Sequence, residues 1–249
     1  MKRTIKATFC SLTFLVLVTL ASAQATAPLP SAEEVVAKMM QFDAHRQSEL
    51  TGYTATRRYV AVNKNRRAQM VVRVSCDGNG AKQFTIVSEE GSGAIRKHLF
   101  QKLLSEETEA SRRGTRSSTR LTPANYEFQT VGQETVETGS AYVLEVSPKT
   151  ANKYLINGRI WVDANDYSIV RIDGQPARNP SFWVRNVHFV HTYQKVGDFW
   201  FASSTDTTSQ VRIFGDSELT IENADYKLNP PHNANTSSIE LDSEARLAQ

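Results

Sequence analysis

The sequence predicts a mainly β protein of α+β layout, with about ten strands and two helices that precede or interrupt them. Three observations lead there. From Tyr154 to Tyr226, short runs alternate apolar and polar residues and are separated by turn residues, the pattern of an antiparallel meander. Three similar runs lie between Tyr53 and Val87, punctuated by Asp-Gly and Asn-Gly pairs that suit tight turns. Two other segments, Ala32 to Leu50 and Ala94 to Ala110, carry apolar residues at helical spacing instead.

The chain opens with a basic start (Lys2, Arg3, Lys6), an apolar run from Phe9 to Leu20 and the small-residue end Ala21-Ser22-Ala23. This is the pattern of a cleaved secretory signal over residues 1–23, too short for a stable membrane span. Export is therefore expected, and a retained N-terminal anchor is the alternative. Residues 24–30 read as a mobile Ala/Pro-rich leader. The signal holds three basic and no acidic residues, so the remainder balances 26 basic against 26 acidic. That balance argues against nucleic acid as a partner, which needs a basic excess on one surface. Cys10 lies inside the signal, so Cys76 alone remains and no internal disulfide is expected.

Ser31 begins the first helix, with Glu34 three residues on completing a capping box. Val35, Met39 and Phe42 share a stripe widened by Val36 and Met40, and Gly52 is expected to end the helix. Strands follow at Tyr53–Val62, Gln69–Cys76 and Lys82–Val87, joined by Asn63-Lys-Asn65 and by Asp77-Gly-Asn-Gly80. In the second, Met70, Val72, Val74 and Cys76 point to one face and Arg73 and Ser75 to the other. That apolar face needs a cover. The second helical stripe, Ile95, Leu99 and Leu103 with Phe100 and Leu104 beside it, is the natural one.

Arg112 to Arg120 is polar and without period, which reads as a solvated loop; a lid-flanking loop or an anionic-headgroup contact are the alternatives. Strands resume at Tyr126–Val136 and, after Gly139, at Ala141–Val146 closed by Pro148. The meander then supplies runs at Tyr154–Val162, Tyr167–Ile172, Trp183–Tyr193, Phe199–Thr205 and Val211–Tyr226. One domain over residues 31–229 is expected, followed by a polar, unstructured tail over 230–249.

No catalytic or metal centre is legible. His188 and His191 are three apart, so on a strand their rings face opposite ways and cannot share an ion. Asp163-Ala-Asn-Asp166 begins like a calcium loop but has Ser168 where glycine is wanted and Gly174 where a glutamate should be, so a hairpin turn is the better reading. There is no Gly-x-Ser-x-Gly elbow and no phosphate-cradling or dinucleotide glycine loop, hence no cofactor is expected. Cys76 reads as a small buried residue. The pairs Glu89-Glu90 and Glu106-Glu107 are neighbours in sequence only. A hydrolase is thus the weakest function class.

Binding remains. One sheet face carries Tyr142, Leu144, Val146, Ile156, Ile160 and Val162, while the other still shows Leu155, Trp161 and Phe189, more apolar surface than one solvated face usually holds. Either both faces are partly covered, or the concave face encloses a cavity for a hydrophobic ligand. Periodicity does not choose between them.

The order of elements, together with the phrases Gly158-Arg-Ile-Trp-Val-Asp163 and Gly197-Asp-Phe-Trp-Phe201, resembles the periplasmic outer-membrane lipoprotein carrier and sorting family, in its broader carrier-like branch. The resemblance covers roughly Ser31 to Leu228. It implies a strongly curved, incompletely closed antiparallel barrel whose concave side is capped by helices, acting as a monomer in the periplasm. It also implies a cavity for lipoprotein acyl chains or lipid, with the lid stripe Leu99, Phe100, Leu103 and Leu104 and the wall residues Met70, Val72, Val74, Tyr142, Leu144, Ile156 and Ile160 as candidate contacts. In that family an arginine on an early strand helps hold the lid shut; Arg57 and Arg58 lie in the corresponding region. The same scaffold also serves lipid-sensing and protein-docking modules, so envelope membrane proteins are the alternative partners. The segment Arg112 to Arg120 and the polar tail depart from the compact carriers.

Overall fold

A computed structural model describes residues 28–112, 118–212 and 215–230. The expected signal, most of the leader, the middle of the Arg112 to Arg120 segment and the tail beyond Pro230 lie outside the described residues.

The fold is one open antiparallel sheet of ten strands, a half-barrel that does not close. Helix α1 (Ala32–Glu49) precedes β1 (Gly52–Asn63), β2 (Arg66–Asp77) and β3 (Lys82–Gly91). A helical crossing follows, made of α2 (Gly93–Ile95), a π-helical stretch at Arg96–Phe100 and α3 (Gln101–Ala110). The chain then runs through β4 (Tyr126–Val136), β5 (Gly139–Pro148), β6 (Ile156–Asp163), β7 (Ile169–Pro176), β8 (Val184–Val196), β9 (Phe199–Val211) and β10 (Gly215–Leu228). Spatial order is β3-β2-β1-β10-β9-β8-β7-β6-β5-β4, so β10 returns to pair with β1 and the crossing links the two outer strands. Covering the concave side is thus built into the connectivity.

The strand count matches the reading of the sequence, several strands run a few residues longer than expected, and two boundaries change how an element ends. The run Val211–Tyr226 is not one strand, because β9 continues to Val211 and the chain reverses before Gly215, whose φ of +78° suits glycine. Gly52 does not terminate α1. The helix stops at Glu49 and Leu50 caps it in an extended conformation, while Gly52 opens β1 where a Cβ would lie 2.5 Å from the Cys76 carbonyl oxygen. At the other end of α1 the Glu34 N–H donates to Ser31 Oγ at 3.1 Å. The Glu34 carboxylate turns to Lys38 rather than back to the cap.

Each helix fills one wing of the half-barrel. Under the crossing, Phe100 is fully buried against Tyr59, Met70, Val72, Val74 and Cys76, with Ile95, Leu99, Leu103 and Leu104 packed at the margin. In the π-helical stretch the Gln101 N–H donates to the Arg96 carbonyl five residues back. Under α1, Val35, Val36 and Met39 pack on Tyr126, Leu144, Val146, Ile160 and Val162. The predicted helical stripe is narrower than expected here: Met40 and Phe42 are exposed, Phe42 stacking on Tyr167 at 5.8 Å.

The outer face is also partly covered. Ala141, Val143, Trp161 and Val170 form a small buried cluster with Val136 and Trp200, and the Arg171 guanidinium lies 4.8 Å from the Trp161 ring centre. Leu155 and Phe189, expected on this face with Trp161, instead pack in the cluster under α1. Leu155 precedes β6, so strand alternation does not govern it, and an irregularity between Arg185 and His188 resets the phase of β8 before Phe189.

Candidate functional site

The two packed wings leave a seam. A pocket of about 340 Å³ opens there, between the C-terminal half of α1, the ends of β7, β8 and β9 and the Arg120–Thr122 segment. Its apolar wall comes from Met39, Leu50, Leu121, Tyr167, Ile169, Tyr193, Phe199 and Phe201. Asp43, Arg46, Gln47 and Arg120 line it with polar groups.

Polar contacts hold α1 over this pocket. Arg46 donates to the Asp166 carbonyl at 3.0 Å, Arg120 pairs with Asp43, and Lys38 donates to the Tyr167 hydroxyl at 3.2 Å. Asp166 anchors the β6–β7 turn, accepting from Trp200 Nε1 at 2.8 Å and from Lys195 at 3.1 Å. Burial disfavours its charge, but these donors outweigh burial and hold the carboxyl below the usual range. Burial pushes the Tyr193 hydroxyl up to about 12, so this wall residue is neutral at physiological pH.

A second arrangement ties the crossing to the sheet. Arg57 on β1, only 6% exposed, donates to Asn223 Oδ1 on β10 at 2.6 Å, to the Tyr59 hydroxyl at 3.2 Å and to Glu107 of α3 at 2.5 Å. Lys82, the first residue of β3, donates to the other Glu107 oxygen at 2.8 Å. Burial opposes ionisation of Glu107, yet Lys82 and Arg57 outweigh it and keep the carboxyl below its ordinary value. Arg58, one residue on, points to the opposite face and is exposed, pairing with Glu222 at 3.3 Å.

The residues singled out in the sequence fall into separate places. Leu99, Phe100, Leu103 and Leu104 pack on the β1–β3 wing with Met70, Val72 and Val74. Tyr142, Leu144, Ile156 and Ile160 lie in the cluster beneath α1. None of these lines the pocket at the seam. Sequence reasoning missed the lining from β9 and from the Leu121 segment. A signal was present, since Phe199 and Phe201 belong to the phrase Gly197-Asp-Phe-Trp-Phe201, in which Gly197 (φ +61°) turns the chain and sets both rings on one face.

The histidines are apart as strand geometry requires. His188 meets Asp173 at 2.8 Å, whereas His191 meets the Thr205 hydroxyl at 2.7 Å on the other face. Asp163 Oδ1 accepts from the N–H groups of Asn165 and Asp166, so its segment is a hairpin turn closed by a side chain. Cys76 is buried and unbridged. Among the described residues no helix is long and apolar enough to cross a membrane.

Fold and pocket together define a class, an open antiparallel half-barrel with helices on its concave side and a mostly apolar pocket at the seam of its two wings. No protein-family model and no curated protein matches the chain. Similar solved structures include a DUF1329 family protein from Desulfovibrio piger, at 11% identity and a TM-score of 0.43, with 86% of this chain and 98% of that one covered. Another is a domain assigned to outer membrane lipoprotein sorting from Vibrio parahaemolyticus, at 13% and 0.41, with 84% and 98% covered. A LolA superfamily protein, NE2245 from Nitrosomonas europaea, is similar at 9% and 0.35, with 81% and 95% covered.

Proposed function

We propose that this protein is a periplasmic binder and carrier of a hydrophobic ligand, a lipid or a lipoprotein acyl chain, held in the pocket between α1 and the sheet. The observation that carries this reading is the unfilled, mostly apolar space of about 340 Å³ at the seam of two otherwise well-packed wings. Apolar surface left facing water in a cleft is unfavourable, and a ligand that covers it recovers that free energy. Polar groups at Arg46, Gln47 and Arg120 suit the head of an amphiphile whose chain lies against Tyr193, Phe199 and Phe201. In this reading Arg57 and Glu107 latch the crossing onto the sheet. Releasing the latch uncovers Leu99, Phe100, Leu103 and Leu104 opposite Met70, Val72 and Val74, which adds wall for a longer cargo.

The volume favours a second reading on the same site. At about 340 Å³ the pocket is at the low end of the range for small-molecule sites, roughly 300–1,000 Å³, and suits one chain rather than several. A lipid-sensing or protein-docking module without transport needs no more than that. Native mass spectrometry of the purified protein, with solvent extraction of its lipids, tests the binding step. One bound amphiphile per chain is expected, and an empty protein that displaces no fluorescent fatty-acid probe would sink the carrier and the lipid sensor and leave only the protein dock. Crosslinking in cells then separates them, trapping lipoproteins for a carrier and a membrane-bound sensor for a sensing module.

A further inference from the structure

The hairpin links at the two ends of the sheet carry opposite charge. Because every neighbouring pair of strands is antiparallel, the β1–β2, β5–β6, β7–β8 and β9–β10 links fall at one end of the half-barrel and the other four hairpin links at the opposite end. The first set holds Lys64, Lys149, Lys153, Arg178 and Arg212 and, among the described residues, no acid. The second set holds Glu137, Asp166 and Asp198 and no base. Near the basic end Arg66, Arg67 and Arg185 add to the charge. Asp216, Glu89 and Glu90 oppose it, with Glu89 engaged by Arg96, and Lys153 is bridged to Glu106 at 3.3 Å.

The same end exposes aromatic rings. Phe182 is 67% exposed, Trp183 54% and Tyr154 44%, although each has large apolar surface to bury. The links form one continuous rim. The Arg212 N–H donates to the Trp183 carbonyl at 2.8 Å, and the Arg212 guanidinium lies 3.9 Å from the Phe182 ring centre. The Ala177 N–H donates to the Leu155 carbonyl at 2.7 Å, joining the β7–β8 and β5–β6 links, and Asn63 donates to the Asp216 carbonyl at 3.1 Å, joining β1–β2 to β10.

We propose that this rim docks on the surface of a bilayer containing anionic phospholipid. Exposed Trp, Tyr and Phe beside Lys and Arg is the combination that settles at headgroup depth, the rings entering the interface while the cations meet phosphate. The protein as a whole has almost no excess charge to attract anions, so the attraction is local to this end. Docking is independent of the pocket: a protein that binds vesicles but no fatty-acid probe, or the reverse, separates the two readings.

The test is co-sedimentation of the purified protein with vesicles of equimolar phosphatidylglycerol and phosphatidylcholine, against vesicles of phosphatidylcholine alone and against high salt. Binding is expected only with phosphatidylglycerol and weakens with salt. Lys64→Ser and Arg178→Ser each weaken it about fivefold, the change that ~1 kcal/mol per surface cation gives. Phe182→Ser with Trp183→Ser weakens it about tenfold or more. All four side chains are exposed, so melting temperatures stay at the wild-type value and unfolding does not confuse the result. Equal binding to neutral vesicles, or variants that bind as wild type does, overturns the proposal. Absence of vesicle binding, with an acidic protein held through Phe182 and Trp183 instead, overturns it in favour of a protein dock.

Discussion

Arg57, buried in the concave face of β1, makes an ion pair of 2.5 Å with Glu107 of α3, and Lys82 engages the other Glu107 oxygen at 2.8 Å. One carboxylate thus joins the helical crossing to both β1 and β3. Breaking a buried pair from one side leaves an uncompensated charge. Glu107→Gln is expected to destabilise the protein by about 3 kcal/mol, whereas the double change Arg57→Met with Glu107→Met recovers most of that loss. Urea unfolding of the three proteins checks it. If Glu107→Gln unfolds within about 0.5 kcal/mol of wild type, the pair is a surface contact and not a latch.

The latch has a pH dependence of definite sign. The folded-state value of Glu107 lies below its unfolded value, so its contribution is fully present above about pH 4.3 and is lost as pH falls through the folded value. Wild-type stability should fall as the pH drops below about 4.3, and the slope should be shallower in Glu107→Gln. Asp166 and Asp173 are also held low by their donors and retain part of the acid loss in the variant. Thermal melts across this range read the difference, and identical slopes would remove Glu107 from the account.

Gly158 explains one of the two phrases that mark the sequence. It pairs with Gly174 across β6 and β7, and a Cβ added to it would lie 2.2 Å from the Asp173 carbonyl oxygen and 2.6 Å from Gly174 Cα. Both obstacles are backbone, so the strands must part to admit a methyl group. Gly158→Ala is expected to cost about 1–3 kcal/mol, the usual range for overpacking. Gly139→Ala is a poor control because φ is +130° there, while Gly132 has open space and no such φ. Denaturant midpoints for Gly158→Ala and Gly132→Ala therefore separate contact from a generic glycine effect.

How far the sequence went is visible in particular residues. Alternation in β2 placed Met70, Val72, Val74 and Cys76 on one face correctly, because a strand with one buried face writes its burial into a period of two. The stripe from Ile95 to Leu104 found its target for the same reason. The pocket left no such trace. Its lining is drawn from α1, β7, β8, β9 and the Leu121 segment, far apart in sequence, and a residue beside a void has the same composition as one in a filled core. Arg57 and Arg58 were likewise inseparable as neighbours until strand pleating put one inside and the other out. Charge segregation between the sheet ends became legible only once the strand order fixed which turns share an end.

Titration of a fluorescent fatty-acid probe reads whether the pocket at the seam holds a ligand. Leu121→Trp adds a bulky ring to the pocket wall from a connecting segment, at the margin of the cluster beneath α1 and not among its buried residues. Wild-type protein is expected to bind one probe per chain, and Leu121→Trp to bind it about tenfold or more weakly, a loss of ~1.4 kcal/mol or greater, with little change in melting temperature. Equal affinity of the two proteins for the probe would contradict the account and place the ligand elsewhere.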